Sequence, residues 1–402
     1  MIPHWLKALA IILTLCLLIA AECHSPMVSP SSHGGSDLTV LFYTEGDLWR
    51  TDLQGIRVQR LTTGAVYQPQ SGEEVWRMVW YQPPHVSPRG RWLAVPAPRA
   101  IHLFDLREQT SATVTLPTDG RDPPEIAWSP DGQCLAYVLD GRLWIYNLSQ
   151  HTSHALFAAE DRLWGTLWSP DGCCIATIAL EETTCCRGTV WVVNAANGKA
   201  QEAGPASPPP EGAIGHVVWW SPSGDRLLIG GLGASSSSIY DLTDDTTTKM
   251  EVSAIGWSPD GRYLLTGDFA LIDALTGQPH VSLRPTKPTC QQKKGPKSWA
   301  WSPGGRYLAG IVHCQPSTEE SRALNWIYVM DVEKGETLWR YSTGFDLEVV
   351  QWSADGTHLV VDVLDPAGEA SPVWRLRADG NGEMEQVVEK GFLLRVVPQW
   401  GQ

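Results

Sequence analysis

From residue 85 onward the chain repeats one arrangement of apolar and polar positions. A short apolar run ends in a bulky residue, a polar turn follows, and a second apolar run begins. The copies read HVSPRGRWLAV from His85, AWSPDGQCLAY from Ala127, LWSPDGCCIAT from Leu167 and WWSPSGDRLLI from Trp219. They continue as GWSPDGRYLLT from Gly256, AWSPGGRYLAG from Ala300 and QWSADGTHLVV from Gln351. Successive copies lie 37 to 52 residues apart, the range of a four-stranded propeller blade. Trp closes a first strand in six copies and Val86 does so in the first. Ser-Pro-Asp-Gly then supplies a tight turn, with Pro fixing φ at one corner and Gly accepting positive φ at another. The apolar run that follows reads as a buried second strand.

A second signature comes a few residues later. DLWRTDLQG from Asp47, RLWIYNLSQ from Arg142 and TVWVVNAANG from Thr189 read as third strands that end in an Asp or Asn turn. IHLFDL from Ile101, SIYDL from Ser238 and IYVMDVEKG from Ile327 are variants without the Trp. The two ends complement each other. TVLFYTEGDLWRTDLQG from Thr39 reads as a second and third strand with no turn motif before it, and VVPQWG as a first strand without a continuation. Trp400 follows Trp352 by 48 residues, in register with the other intervals. Residues 396–401 are therefore expected to join the N-terminal blade, which closes the ring and removes two exposed sheet edges. The expected fold is all-β: a single propeller of four-stranded antiparallel blades over residues 38–402. Eight blades are expected, or seven if the divergent segment 65–100 folds differently.

The segment before the repeats has a different character. Lys7 precedes an uninterrupted apolar run from Ala8 to Ala21. That is signal-peptide length and short of the roughly 20 residues of a spanning helix. Leu18-Ile19-Ala20-Ala21-Glu22-Cys23 resembles a bacterial lipobox, with Glu22 where that motif has a small residue. Residues 1–23 are expected to direct export with lipidation at Cys23; simple cleavage and an uncleaved anchor are the alternatives. Residues 24–37 read as a flexible polar linker. The expected location is periplasmic, at the cell surface, or on a membrane through the N-terminal lipid or signal anchor only.

A net charge of −14 argues against a nucleic-acid surface and against a basic patch for anionic lipid. Apart from Cys16 and Cys23, seven cysteines remain, so one chain cannot pair them all. No Cys-x-x-Cys pair occurs, adjacent cysteines seldom bond to each other, and Cys290 with Cys314 is the first pairing to test.

The repeats resemble the WD40-like units of the TolB family, called PD40 repeats, over roughly residues 38–401. The resemblance implies a β-propeller. Members of that family include periplasmic interaction proteins and the propeller halves of prolyl peptidases. Neither the separate α/β domain of TolB nor the Gly-x-Ser-x-Gly elbow of the peptidases is found here, so fold alone transfers.

The common enzyme motifs are missing from the sequence. There is no His-Glu-x-x-His, no phosphate-binding loop and no sialidase-type Ser-x-Asp-x-Gly box. The Ser258-type serines read as turn residues, and no cofactor or metal is expected. The leading expectation is a monomeric, non-enzymatic module that holds a protein or peptide through one face and the channel mouth. That face carries the connections into each first strand and those between second and third strands. Glu125, Trp164, His216, Ser298, Glu348 and Arg395 stand there as candidate partner-binding residues, each just ahead of a first strand. Two alternatives stay open. One is a lyase or glycan hydrolase with residues converging at the channel, which perturbed carboxylates or His at the mouth would favour. The other is an accessory propeller of a separate hydrolase chain.

Overall fold

The computed structural model describes residues 38–44, 47–62, 85–97, 99–108, 110–116, 123–181, 188–206, 218–230, 236–283, 290–291, 298–316, 324–343, 346–364, 372–389 and 391–398. Among them every regular element is a strand, and the strands form eight antiparallel sheets. Each motif copy opens one sheet. The second blade comprises His85–Val86, Trp92–Ala97, Ala100–Asp105 and Thr110–Thr115, paired in that order from the inside outward. The third comprises Glu125–Trp128, Cys134–Leu139, Arg142–Asn147 and Thr152–Ala158, and the fourth Arg162–Trp168, Cys174–Leu180, Gly188–Asn194 and Ala200–Ala206. Blades five to eight begin with Val218–Trp220, Ala254–Trp257, Ser298–Trp301 and Asp346–Trp352. The seventh also gains a two-residue strand, Cys290–Gln291, beside the far end of its long second strand Tyr307–Pro316. That register sets Cys290 opposite Pro316, on the strand that carries Cys314.

The first blade closes the ring. Leu38–Thr44 pairs with Asp47–Asp52 on one side and with the C-terminal strand Phe392–Pro398 on the other, Thr39 opposite Val397. Closure by the C-terminus is as expected, but the strand starts four residues earlier than 396. The apolar run Phe-Leu-Leu-Arg-Val-Val supplies the pairing, and Trp400 lies outside the described residues. The described part of the divergent segment, from His85 on, supplies the two inner strands of the second blade, so the number is eight and not seven.

The cores lie between blades. Cys174, Val190 and Val192 of the fourth blade pack with Leu227, Ile229 and Tyr240 of the fifth, and Leu264 and Trp257 of the sixth with Leu228 and Ile239 of the fifth. Second strands such as Trp92–Ala97, Cys134–Leu139 and Cys174–Leu180 are buried at successive positions, which is why they read as continuous apolar runs.

The motif tryptophans act as straps across these junctions. The indole Nε1–H of Trp128 donates to the carbonyl of His85 at 2.8 Å, and that of Trp168 to Ala127 at 3.1 Å. Trp220 donates to Leu167, Trp257 to Trp219 and Trp352 to Ala300, at 2.9–3.0 Å. In each case the acceptor is the residue just before the motif position of the preceding blade. One side chain therefore fills the junction and satisfies an inner-strand carbonyl that has no neighbour on its channel side.

The motif serines lock the turns. In all seven copies the Ser hydroxyl accepts the backbone N–H of the residue five positions on, at 2.8–3.0 Å. In four copies the same hydroxyl donates to the motif Asp, as from Ser129 to Asp131 at 2.6 Å. The fifth blade has Ser223 in place of that Asp, and Asp225 takes the proton of Ser221 instead at 2.8 Å. Gly132 closes its turn at φ 70°, a conformation costly for any residue with a Cβ.

Candidate functional site

Antiparallel pairing puts the connections of every blade alternately on two faces. The Ser-Pro-Asp-Gly turns share one face with the turns between third and fourth strands. The other face carries the connections into each first strand and those between second and third strands.

The turn face is occupied with itself. Neighbouring motif turns abut around the ring: a Cβ on Gly261 would stand 3.5 Å from Pro222, and one on Gly305 and Gly356 would meet Pro259 and Pro303 at 3.4–3.6 Å. At the third-strand ends, Asp105, Asn147 and Asp273 accept the N–H groups two and three residues on, at 2.8–3.1 Å. Arg91 pairs with Asp105 at 2.7 Å and Arg306 with Asp331 at 3.1 Å. Burial of Asp105 works against its ionisation, but Arg91 and the N–H groups of Glu108 and Arg107 outweigh it and hold its carboxyl below the usual range. Arg91 and Arg306 also lie over Trp92 and Tyr307, at 5.4 and 5.2 Å from the ring centroids.

The second face holds the expected site, and two of its residues meet. Glu125, at the start of the third blade's first strand, places its carboxylate against the fourth blade. There it accepts hydrogen bonds from the Trp164 indole and the backbone N–H of Gly165. The fourth blade's first strand bulges at this point: the pairing register slips between Trp164 and Leu167, and Gly165 sits at φ 73°. Thr177, on the adjacent strand, donates its hydroxyl proton to the Gly165 carbonyl at 2.8 Å and fixes the bulge. Burial drives the Glu125 carboxyl from its ordinary 4.5 up to about 7, against both of those donors. Arg162, at the outer end of the same strand, is exposed.

The other candidate residues have different surroundings. The Ser298 hydroxyl, half-buried, accepts the Val350 N–H at 3.3 Å and so ties the seventh blade to the eighth. Glu348 falls in the strand irregularity between Leu347 and Val350, and Arg395 lies opposite Leu41 in the closing strand. Their side chains, with all of His216 and Cys23, lie outside what the structure describes. His85, on the second blade's first strand, was not singled out in the sequence; burial pushes its imidazole from 6.5 down to about 4. Gly165 and Thr177 were missed as well. An isolated Gly inside a strand pattern is the signal for the first, and nothing in the sequence marks the second. Among the described residues no group of three or more His, Cys, Asp or Glu side chains is arranged to hold a metal ion.

These features define the class: a closed eight-bladed β-propeller with one face bound up in its own turns and one that carries the longer connections. The model of the WD domain, G-beta repeat, matches residues 237–270, which span the outer half of the fifth blade and the inner half of the sixth. COMPASS component SWD3 of Saccharomyces cerevisiae is 34% identical over 55 residues, 14% of this chain. The match spans 18% of the length of that relative. Among solved structures, one described as a crystal structure of the eukaryotic initiation factor superposes with a TM-score of 0.55 at 12% identity. It covers 90% of this chain and 98% of its own, and it supports the fold alone. The Cps50 (Swd1) β-propeller domain of Myceliophteria thermophila aligns at 15% identity over 71% of this chain and 94% of its own, with a TM-score of 0.43.

Proposed function

We propose that this propeller is a non-catalytic binding module that holds a protein or peptide partner on the face carrying the longer connections, at the inner-strand mouth beside Glu125, Trp164 and Arg162. The division of labour between the faces carries this reading. Serines, carboxylates and arginines of the turn face are bonded to one another, whereas Arg162 stands exposed at the end of a bulged inner strand. The matched yeast relative is named as a component of COMPASS, and membership of an assembly is the role supposed here too. The TolB-like character of the repeats, export through the apolar run from Ala8 to Ala21, and lipidation at Cys23 belong to the same proposal.

Affinity capture of the full chain from its native membrane tests the reading. The expected result is a reproducible protein partner that wild type retains and Arg162→Glu loses. Recovery of a bound sugar or metal with no protein would overturn it, as would a partner lost on Asp273→Lys and untouched by Arg162→Glu. Location is tested separately by fractionation: wild type should partition with membranes and Cys23→Ser should not.

A further inference from the structure

We propose that Cys173 and Cys174 form a reversible oxidation site for low-molecular-weight disulfides, with Cys173 as the entry thiol and Cys174 as the resolving thiol. Both are free, and their sulfurs lie 2.8 Å apart. They follow the Ser-Pro-Asp-Gly turn of the fourth blade, at positions that hold Arg262-Tyr263 and Arg306-Tyr307 in the sixth and seventh. In those blades the first residue of the pair faces outward and lays its guanidinium over the ring of the second. The fourth blade keeps the geometry and changes the chemistry. Cys173 is partly exposed, and Cys174 is buried in the core between the fourth and fifth blades.

The same arrangement sorts the two thiols. The close contact shared with Cys174 favours the Cys173 thiolate and holds it below the ordinary thiol range, although burial and Asp171 oppose this. The same contact, with burial, pushes Cys174 up. The reachable sulfur is therefore the better nucleophile, as an entry thiol requires. The Cys173 thiolate attacks a sulfur of the disulfide RSSR, forms the mixed disulfide and expels RS⁻. Cys174 gives up its proton to solvent and attacks the Cys173 sulfur, expelling the second RS⁻. The pair loses two electrons and two protons, and RSSR is reduced to two RSH.

Ring closure between adjacent residues is strained, which makes the product easy to reduce again. It also acts on the turn. The amides and carbonyls of both cysteines hold it in place through Cys173 N to Asp171 Oδ1 at 3.1 Å, Cys174 N to Ser169 Oγ at 2.9 Å, Ser169 N to the Cys174 carbonyl at 2.8 Å and Ala195 N to the Cys173 carbonyl at 2.9 Å. Asp171 in turn abuts the fifth blade, 2.9 Å from where a Cβ on Gly224 would stand. Oxidation at this point loosens the junction between two blades.

Oxidised glutathione on the reduced full chain, followed by peptide mapping, tests the assignment. Wild type should lose two hydrogens from the peptide holding both cysteines, with a fall in Tm that dithiothreitol reverses. Cys174→Ser should accumulate a stable glutathione adduct at Cys173, formed at least tenfold faster than any adduct at Cys174 in Cys173→Ser. A wild-type peptide that stays reduced, an adduct at Cys173 that never closes, equal adduct rates in the two variants, or an unchanged Tm would overturn it. Phenylarsine oxide, which bridges two thiols, gives a check that needs no variant. It should bind one per pair and block the oxidation, and failure to protect would count against the site.

Discussion

The two faces of this ring are built from the same blades and the same kind of connection, yet they spend their polar groups differently. On the turn face almost every Ser, Asp and Arg of the repeat is bonded within its own blade or stacked on its neighbour. There the repeat is self-sufficient, and substituting one member should cost stability. On the other face the polar groups of Glu125, Trp164 and Ser298 reach across to adjoining blades at irregularities of the inner strands. These groups join blades at the places where the ladder departs from its register. Repetition builds the frame, and departures from repetition build the surface on which a partner would be recognised.

The largest effect expected is at the straps beneath the turn face. Trp257→Ala should lower stability by about 3–5 kcal/mol, because it empties a buried junction and strips the Trp219 carbonyl of its donor. Trp257→Phe should recover most of that loss, and urea midpoints of the two variants separate the packing from the hydrogen bond.

Next come two opposed pH dependences on the inner strands. The folded state holds the Glu125 proton more tightly than the unfolded chain, with a midpoint near 7 against 4.5. Stability contributed by that proton is present below 4.5 and lost as pH rises through 7. His85 resists protonation when folded, about 4 against 6.5, so the stability it contributes is lost as pH falls from 6.5 toward 4. The two offset in wild type. Glu125→Gln should leave the His85 contribution unopposed, so that stability rises with pH between 4 and 6.5 by about 1–3 kcal/mol. A flat profile for that variant would mean that the His85 ring titrates normally.

A smaller change follows at a single turn. Ser258→Ala removes the acceptor for the Tyr263 N–H and the donor to Asp260, and should cost about 1 kcal/mol in chemical denaturation. The smallest effect is expected at Leu275, which is 80% exposed at the rim of the turn face. Leu275→Ser should stay within about 0.5 kcal/mol of wild type and leave partner capture unchanged. A marked loss of capture would move the binding surface to the turn face and reverse the comparison.

Much of the frame was legible in the repeats. Interval and motif together implied four-stranded blades, eight or seven of them, and the joining of the two ends. The motif residues were read correctly as turn formers but not in full. Ser looked like a corner residue and is the acceptor that locks the next strand. Trp looked like packing and is also a strap to the blade before it. Both roles involve a partner that sequence spacing does not name, a backbone group five residues on or some forty residues back. The candidate site was legible only as a set of positions. Glu125 and Trp164 were placed on one face by strand order, but their meeting depends on a bulge at Gly165 and on the approach of two separate blades.

The sequence alone determined what is local and repeated: turn chemistry, strand alternation, blade length and closure. Each of these follows from steric limits on a few adjacent residues, restated seven times. The tertiary structure decided what depends on distance between blades. It moved the closing strand to Phe392–Pro398, paired Glu125 with the bulge of the next blade, and set the protonation of Glu125 and His85 through burial that no single strand possesses. Burial and cross-blade hydrogen bonds belong to the assembled ring, because they arise only when two sheets have excluded water from the space between them.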